Sequence, residues 1–161
     1  MISTARVLSD KALQLSADRP CVEWAIGMLE RGHSGEYLQM LASLSGKLNH
    51  FEVADFRDRA LEELGVSPVE EKEAVVSYAA EVLQGFLLGK IAMRDALSTV
   101  KDLCIAADML RELYDFYLLF FALDDLLEIG TQHYWEGADL SNIEGIVRSR
   151  IGGFLARSSA A

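Results

Sequence analysis

Residues 116–123 constrain the fold most, because all eight of them are apolar or aromatic. They lie inside a longer stretch with helical spacing, from about residue 109 to residue 129, and Gly130 is a typical helix stop. A helix that is apolar on every side is usually covered by neighbouring elements on most of them. We therefore expect this helix at the centre of an antiparallel helical array, or with one side covered by a dimer or partner.

The remaining helices are predicted from their caps. Asn49 with Glu52, and Ser67 followed by Pro68, are strong start signals, and Gly65 is a strong stop. Residues 131–140 are the one irregular segment, and residues 158–161 are expected to fray. No alternation typical of a strand is present. The predicted helices span approximately residues 3–16, 20–32, 34–44, 49–65, 67–89, 92–106, 109–129 and 141–157.

This pattern predicts a single all-α domain over residues 1–161, a bundle or array of about seven to eight helices. The two cysteines, Cys21 and Cys104, lie in apolar helical patterns and do not form a disulfide framework, which favours a reduced cytoplasmic setting. Residues 1–6 lack the pattern of a signal peptide. The uncharged run at 116–123 is also much shorter than the about 18 residues of a membrane span.

Negative charge is concentrated in the middle of the chain, whose net charge is −10. Residues 47–89 carry 4 Lys or Arg against 9 Asp or Glu, and residues 90–130 carry 4 against 8. A localised field of one sign attracts cationic surfaces and repels nucleic acid and anionic membranes. We therefore expect a basic protein partner, and neither nucleic acid nor membrane.

The fourth predicted helix separates apolar and acidic residues onto two faces. On a helical wheel, one face carries Val53, Ala54, Phe56, Ala60, Leu61 and Leu64. The other face carries Arg59 and five carboxylates: Glu52, Asp55, Asp58, Glu62 and Glu63. Such a face either keeps the protein soluble or docks Lys and Arg of a partner.

A second acidic cluster lies on the seventh predicted helix and just before it. Asp108, Glu112 and Asp115 are predicted to share a face, and Asp124, Asp125 and Glu128 lie near its end. The last three have the oxygen ligands that Mg²⁺ prefers. No second acidic motif or phosphate-binding loop accompanies them, so an exposed helix end is the simpler interpretation and no metal is expected.

No catalytic constellation is recognisable, so we expect neither an enzyme nor a cofactor. The histidines at 33, 50 and 133 are isolated from one another and from any zinc-ligand spacing. Both cysteines are predicted to be buried and inert, and Trp24 is predicted to lie in the core. Trp135, in an aromatic loop, either plugs the core or anchors a contact of the kind enriched at interface hot spots.

Part of the chain resembles a group of small helical bacterial proteins associated with toxin-immunity neighbourhoods. The resemblance covers residues 20–66 and rests on the segments PCVEWAIGMLE (20–30), YLQMLASL (37–44), NHFEV (49–53) and ALEELG (60–65). It implies a bacterial cytoplasmic protein that binds and neutralises a toxin domain. It contains no mechanistic motif and implies no functional residue.

The sequence thus predicts an acidic immunity protein that blocks a cognate toxin by tight complex formation. The candidate partner-binding residues are Glu52, Asp55, Asp58, Glu62, Glu63, Asp108, Glu112, Asp115 and Trp135. The alternative is a helical adaptor or structural protein that forms a homodimer through the apolar seventh helix. A third class is a helical enzyme with a metal or small-molecule pocket near Asp124, Asp125 and Glu128.

Overall fold

The computed structural model describes residues 1–159, and within them all regular secondary structure is helical, with no strand. This confirms the all-α prediction. Ala160 and Ala161, in the stretch predicted to fray, lie outside the described residues. The elements are α1 (Thr4–Ala12), α2 (Asp18–Glu30), α3 (Glu36–Ser43), α4 (His50–Glu63), α5 (Glu71–Leu87), α6 (Met93–Ala106), a 3₁₀-helix (Arg111–Leu113), α7 (Tyr114–Ile129) and α8 (Ile143–Ser159).

The chain divides into two compact units, Met1–Ala74 and Val75–Ala161, called unit 1 and unit 2 below. In unit 1, α2, α3 and α4 pack against one another, and α1 packs against α2. In unit 2, α7 contacts α6, α8 and the 3₁₀-helix. The expectation that residues 1–161 form a single domain stays a prediction.

Trp24 lies at the centre of unit 1, as predicted. Its side chain is fully buried, and its indole Nε1–H donates a hydrogen bond to Thr4 Oγ1 at 3.0 Å. A buried indole needs such an acceptor, because an unpaired polar group in an apolar core is costly. The indole lies in a core cluster with side chains that include Val7, Val22, Leu38, Leu41, Val53, Ala60 and Leu61.

Helix α7 is the central helix of unit 2. Phe116 is buried edge-on against Phe154 of α8, with ring centroids 5.4 Å apart. One face of α7 nevertheless reaches solvent, because Tyr114 is exposed and Tyr117 and Phe121 are only half-buried. The side chains of α7 that are buried are Phe116, Leu119, Phe120, Ala122, Leu123 and Leu126.

Two helices begin later than their sequence signals indicate. The predicted start of α5 at Ser67 is wrong, because the helix begins at Glu71 and its first carbonyl acceptor is that of Glu70. The predicted start of α7 near residue 109 is also wrong. Asp108 and Met109 adopt left-handed φ angles of 54° and 58°, which no α-helix can contain. The chain therefore turns there and enters α7 through the 3₁₀-helix.

Helix α3 is capped by a side chain from another helix. The helix is predicted to start at residue 34 but begins at Glu36, and the N–H groups of Tyr37 and Leu38 donate to the carboxylate of Glu63, at 3.1 and 3.3 Å. Gly35 makes room for this contact, since a Cβ at Gly35 would overlap Glu63 Oε2 and lie 3.0 Å from its Cδ. A negative charge at a helix N-terminus is favourable, so Glu63 joins the end of α4 to the start of α3.

We expect Glu63→Ala to lower the free energy of unfolding of unit 1 by about 1–2 kcal/mol, the usual cost of losing an N-cap. Urea denaturation followed by circular dichroism at 222 nm measures the change. Glu62→Ala is the matched control, because Glu62 is exposed and the change should stay within about 0.5 kcal/mol. Equal effects of the two substitutions would contradict a capping role for Glu63.

Candidate docking surface

Helix α4 presents its acidic side to solvent, because capping residues define both of its ends and its apolar side is buried. Asn49 Oδ1 accepts hydrogen bonds from the N–H groups of Phe51 and Glu52, at 3.0 and 3.2 Å, which confirms the predicted cap. Gly65 ends the helix with φ +70°, also as predicted. Val53, Ala60 and Leu61 are buried in unit 1, and the exposed carboxylates on the opposite side are those of Glu52, Asp55, Glu62 and Glu63.

Two of the five carboxylates predicted for this face are engaged within the protein. Asp58 is half-buried and pairs with Lys11 Nζ at 3.1 Å and Arg57 Nε at 2.9 Å. Burial pushes the pKa of Asp58 upward, but hydrogen bonds from Arg57 and Lys11 outweigh burial and hold that pKa below its ordinary value. Glu63, the second, caps α3.

A third carboxylate, Asp55, forms an exposed ion pair with Arg59 at 3.1 Å. Arg59 also donates to the hydroxyl of Tyr37 at 2.9 Å and lies 4.9 Å from the centroid of that ring. Exposed pairs of this kind contribute little to stability. Their effect on charge is larger: Lys11 and Arg57 both pair with Asp58 and Arg59 pairs with Asp55, so these three cations reduce the charge of the five carboxylates from −5 to −2. We call Glu52, Asp55 and Glu62 the acidic face.

The cluster formed by Asp108, Glu112 and Asp115 does not share one helical face. Only Asp115 lies on α7, whereas Asp108 is in the left-handed turn and Glu112 in the 3₁₀-helix. The expectation assumed a helix from residue 109, which the turn interrupts. Asp115 lies 3.6 Å from Arg150 of α8.

Trp135 is half-buried in the loop before α8, so it is neither a deep plug nor a free anchor. The guanidinium of Arg150 lies 5.0 Å from the centroid of its ring. Gln132 fixes the loop: its Nε2 donates to the carbonyls of Trp135 and Ala138, and its Oε1 accepts from the N–H groups of Tyr134 and Trp135. The backbone of Tyr134 and Trp135 is thereby fixed by one side chain.

The loop ends in a cap that also differs from the sequence signal. The last helix is predicted to start at residue 141, but it begins at Ile143, and Asp139 Oδ1 accepts hydrogen bonds from the N–H groups of Ser141 and Asn142. It also accepts one from the hydroxyl of Ser141. Hydrogen bonds donated to its carboxylate by the hydroxyl of Ser141, and then by the backbone N–H of Ser141, lower the pKa of Asp139. The resulting turn leads directly into α8.

At the C-terminal end of α7, Asp124 accepts a hydrogen bond from Arg94 of α6. Within residues 1–159, no three His, Cys, Asp or Glu side chains are grouped so that they could hold a metal ion. The carboxylates of Asp124, Asp125 and Glu128 therefore do not form such a group.

The remaining reactive side chains are isolated. Cys21 and Cys104 are buried free thiols, as predicted, and burial raises the pKa of each. A protonated buried thiol is a poor nucleophile. His50 Nδ1 lies 2.8 Å from Asp18 Oδ1 and thus ties the start of α4 to the start of α2. In the part of the chain that the structure describes, no helix is long and apolar enough to cross a membrane.

Unit 1 has an open groove near its N-terminus that the sequence pattern does not predict. The groove has a volume of about 320 Å³ and is lined by Met1, Ile2, Glu23, Ile26, Gly27 and Glu30. It forms where the residues before α1 lie against one side of α2. Spacing along a single helix cannot reveal such a groove.

Comparisons with protein-family models, curated proteins and solved structures found no match to this chain. The resemblance to immunity-associated proteins therefore stays a prediction.

Proposed function

We propose that this protein is a non-enzymatic binding protein of the bacterial cytoplasm that neutralises a cognate toxin by forming a tight complex with a basic surface of it. The observation that supports this most is the acidic face of α4. Its three carboxylates are exposed, whereas the opposite side of the same helix is buried in unit 1. A rigid, outward-facing charged surface is preorganised for a partner and needs little ordering on binding.

The spacing of the acidic face defines the partner it fits. Glu52 and Asp55 are about one turn apart, and Glu62 lies roughly 15 Å further along the axis than Glu52 at a rise of about 1.5 Å per residue. A partner with Lys or Arg at both ends of such a span would be steered into register by opposed fields. Arg59 lies among the carboxylates, so a uniformly basic surface would be repelled there. The mixed pattern therefore favours one arrangement of charges over basic surfaces in general.

Unit 2 supplies the other proposed contacts. Asp108 is exposed, and Asp115 is half-buried beside Arg150. Trp135 is half-buried with Arg150 over its ring, and it is a candidate contact because large aromatic side chains are enriched at interface hot spots. These residues, with Glu112, remain candidate partner contacts, and their contribution is separable from that of the acidic face by substitution.

Co-expression with the protein encoded beside this chain tests the proposed function. We expect the neighbour to arrest growth when expressed alone, and this chain to restore growth and elute with it as one complex. A chain that neither restores growth nor co-purifies would contradict the proposal.

The alternative, a homodimeric adaptor, is supported by apolar side chains that α7 leaves in solvent. Leu127 and Ile129 are 56% and 71% exposed at the end of this helix. Large exposed apolar groups are typical of interaction surfaces when they are adjacent. Sedimentation velocity at two concentrations separates the two functions, because a homodimer dissociates on dilution and a monomer does not change.

A further inference from the structure

Four aromatic rings form a continuous stripe on unit 2. Tyr114, Tyr117 and Phe121 follow one another at helical spacing on α7, with ring centroids 5.6 and 5.0 Å apart. Tyr134 of the following loop adds a fourth ring, 5.5 Å from that of Phe121. We call these four residues the aromatic stripe. Gln132 fixes the backbone of Tyr134, so the stripe is held by two separate elements.

The aromatic stripe is accessible over its whole length. Tyr114 and Tyr134, at its two ends, are 42% and 44% exposed, and the two rings between them are half-buried. Aromatic side chains of this kind have few rotatable bonds and provide large contact areas at low entropic cost. The stripe is therefore a surface to which a partner side chain could bind without reordering it.

Two carboxylates follow the aromatic stripe on the same face of α7. Asp125 and Glu128 lie four and seven residues after Phe121, so helical geometry places them beyond the rings on the same side. Within the described residues, no Lys or Arg nitrogen lies within 4 Å of either carboxylate; the neighbouring Asp124 is bound by Arg94, whose charge also acts on Glu128 from a greater distance. The C-terminal end of a helix also carries a partial negative charge of its own. A cation is thus favoured at the end of the stripe.

Elsewhere in this protein, aromatic rings are covered by cations. Arg148 lies 4.7 Å from the centroid of Phe86, and Lys101 lies 4.5 Å from that of Phe120. Arg59 and Arg150 cover Tyr37 and Trp135 in the same way. Within the described part of unit 2, no Arg or Lys lies over any ring of the aromatic stripe. The aromatic stripe therefore has the rings of a cation–π contact and carboxylates beside them, but within the described residues no cation lies over its rings.

We propose that the aromatic stripe is a docking surface for an arginine-bearing segment of a protein partner. Its guanidinium groups stack on the rings and donate hydrogen bonds to Asp125 and Glu128. Arginine fits better than lysine, because a planar guanidinium stacks on aromatic faces and binds carboxylates through a fork of donors. The inference rests on the proposed function in one respect only, the basic character of the partner, because the acidic face is a different surface from the aromatic stripe.

The test uses the whole chain with ¹³C-labelled tyrosine rings, observed by NMR. The probes are two end-blocked peptides, Gly-Arg-Gly-Arg-Gly and Gly-Lys-Gly-Lys-Gly. The five tyrosines give an internal control, because Tyr37 lies beside the acidic face and already stacks with Arg59. We expect the arginine peptide to shift the ring signals of Tyr114, Tyr117 and Tyr134, to leave Tyr37 nearly unchanged, and to bind severalfold more tightly than the lysine peptide.

Paired variants test the role of the rings. Tyr117→Leu with Tyr134→Leu removes two rings and should weaken binding at least about fivefold, since an exposed cation–π contact contributes about 0.5–1 kcal/mol. Tyr117→Phe with Tyr134→Phe keeps the rings and should retain binding and the shift of Tyr114. Reversing the acidic face to lysine should leave this binding unchanged. These variants therefore distinguish a failure of the proposal for the aromatic stripe from a failure of the proposal for the acidic face.

Four outcomes would overturn the inference. Equal binding of both peptides would show attraction to net charge only, as would shifts at Tyr37 equal to those in the stripe. An absence of shifts in the stripe would exclude a cation site there. Shifts of its rings with protein concentration, without any peptide, would show that a second copy of this chain covers it.

Discussion

Trp24→Ala is expected to lower the free energy of unfolding of unit 1 by about 3–5 kcal/mol, the range typical of removing a large aromatic side chain from a core. The side chain has no exposed surface, and its removal leaves a cavity among residues from four helices. It also leaves Thr4 Oγ1 without its donor. Because whole domains are stable by only about 5–15 kcal/mol, this loss is a large fraction of the total. Urea denaturation followed at 222 nm measures it.

Two further substitutions separate packing from hydrogen bonding at Trp24. Thr4→Val keeps the volume but removes the acceptor, and we expect a loss of about 1–3 kcal/mol because the indole N–H is then buried unpaired. Trp24→Phe keeps much of the apolar area, so its loss of unfolding free energy should lie between the losses of Thr4→Val and Trp24→Ala. A loss below about 1 kcal/mol for Trp24→Ala would contradict the central position of this residue in unit 1.

The second large effect concerns association with the partner. Replacing Glu52, Asp55 and Glu62 by lysine reverses every carboxylate of the acidic face. Electrostatic steering accelerates association by about 10- to 1,000-fold, so we expect the rate constant with the co-purified partner to fall by at least about tenfold at low salt. Stopped-flow mixing or surface plasmon resonance measures this rate.

The control for this variant changes the net charge by the same amount at other sites. Glu81, Asp102 and Glu136 are exposed carboxylates of unit 2 outside the proposed contacts, and all three become lysine in the control. If steering depends on the acidic face, the control should slow association much less. Equal slowing by both variants would attribute the effect to net charge and remove the acidic face from the proposal.

Most of the fold follows from local signals in the sequence, but its long-range contacts do not. The cap at Asn49 and the stops at Gly65 and Gly130 lie where the sequence places them, because each acts within one helical turn. The cap of α3 does not, because its acceptor, Glu63, is 26 residues away from the Tyr37 amide that it binds. The start of α7 is later than predicted because Asp108 interrupts the helix with a left-handed turn.

The candidate sites show the same division: their local features follow from the sequence, and their long-range contacts do not. A helical wheel correctly separates exposed carboxylates such as Glu52 and Glu62 from the buried side of α4. It cannot show that Lys11 of α1 neutralises Asp58, since their contact depends on tertiary packing. The aromatic stripe was also missed as a site. The pattern of residues 116–123 predicts a helix covered on most sides but does not indicate which side stays open, and only the fold brings Tyr134 against Phe121.

The association rate of the wild-type chain with its co-purified partner, measured at salt concentrations from about 0.05 to 0.5 M, tests the central claim most directly. Binding between an acidic and a basic surface predicts that the rate constant falls by at least about tenfold over this range, while the acidic-face variant shows a much flatter dependence. A rate that is the same at all salt concentrations would contradict the proposal that this protein recognises its partner through opposed charge.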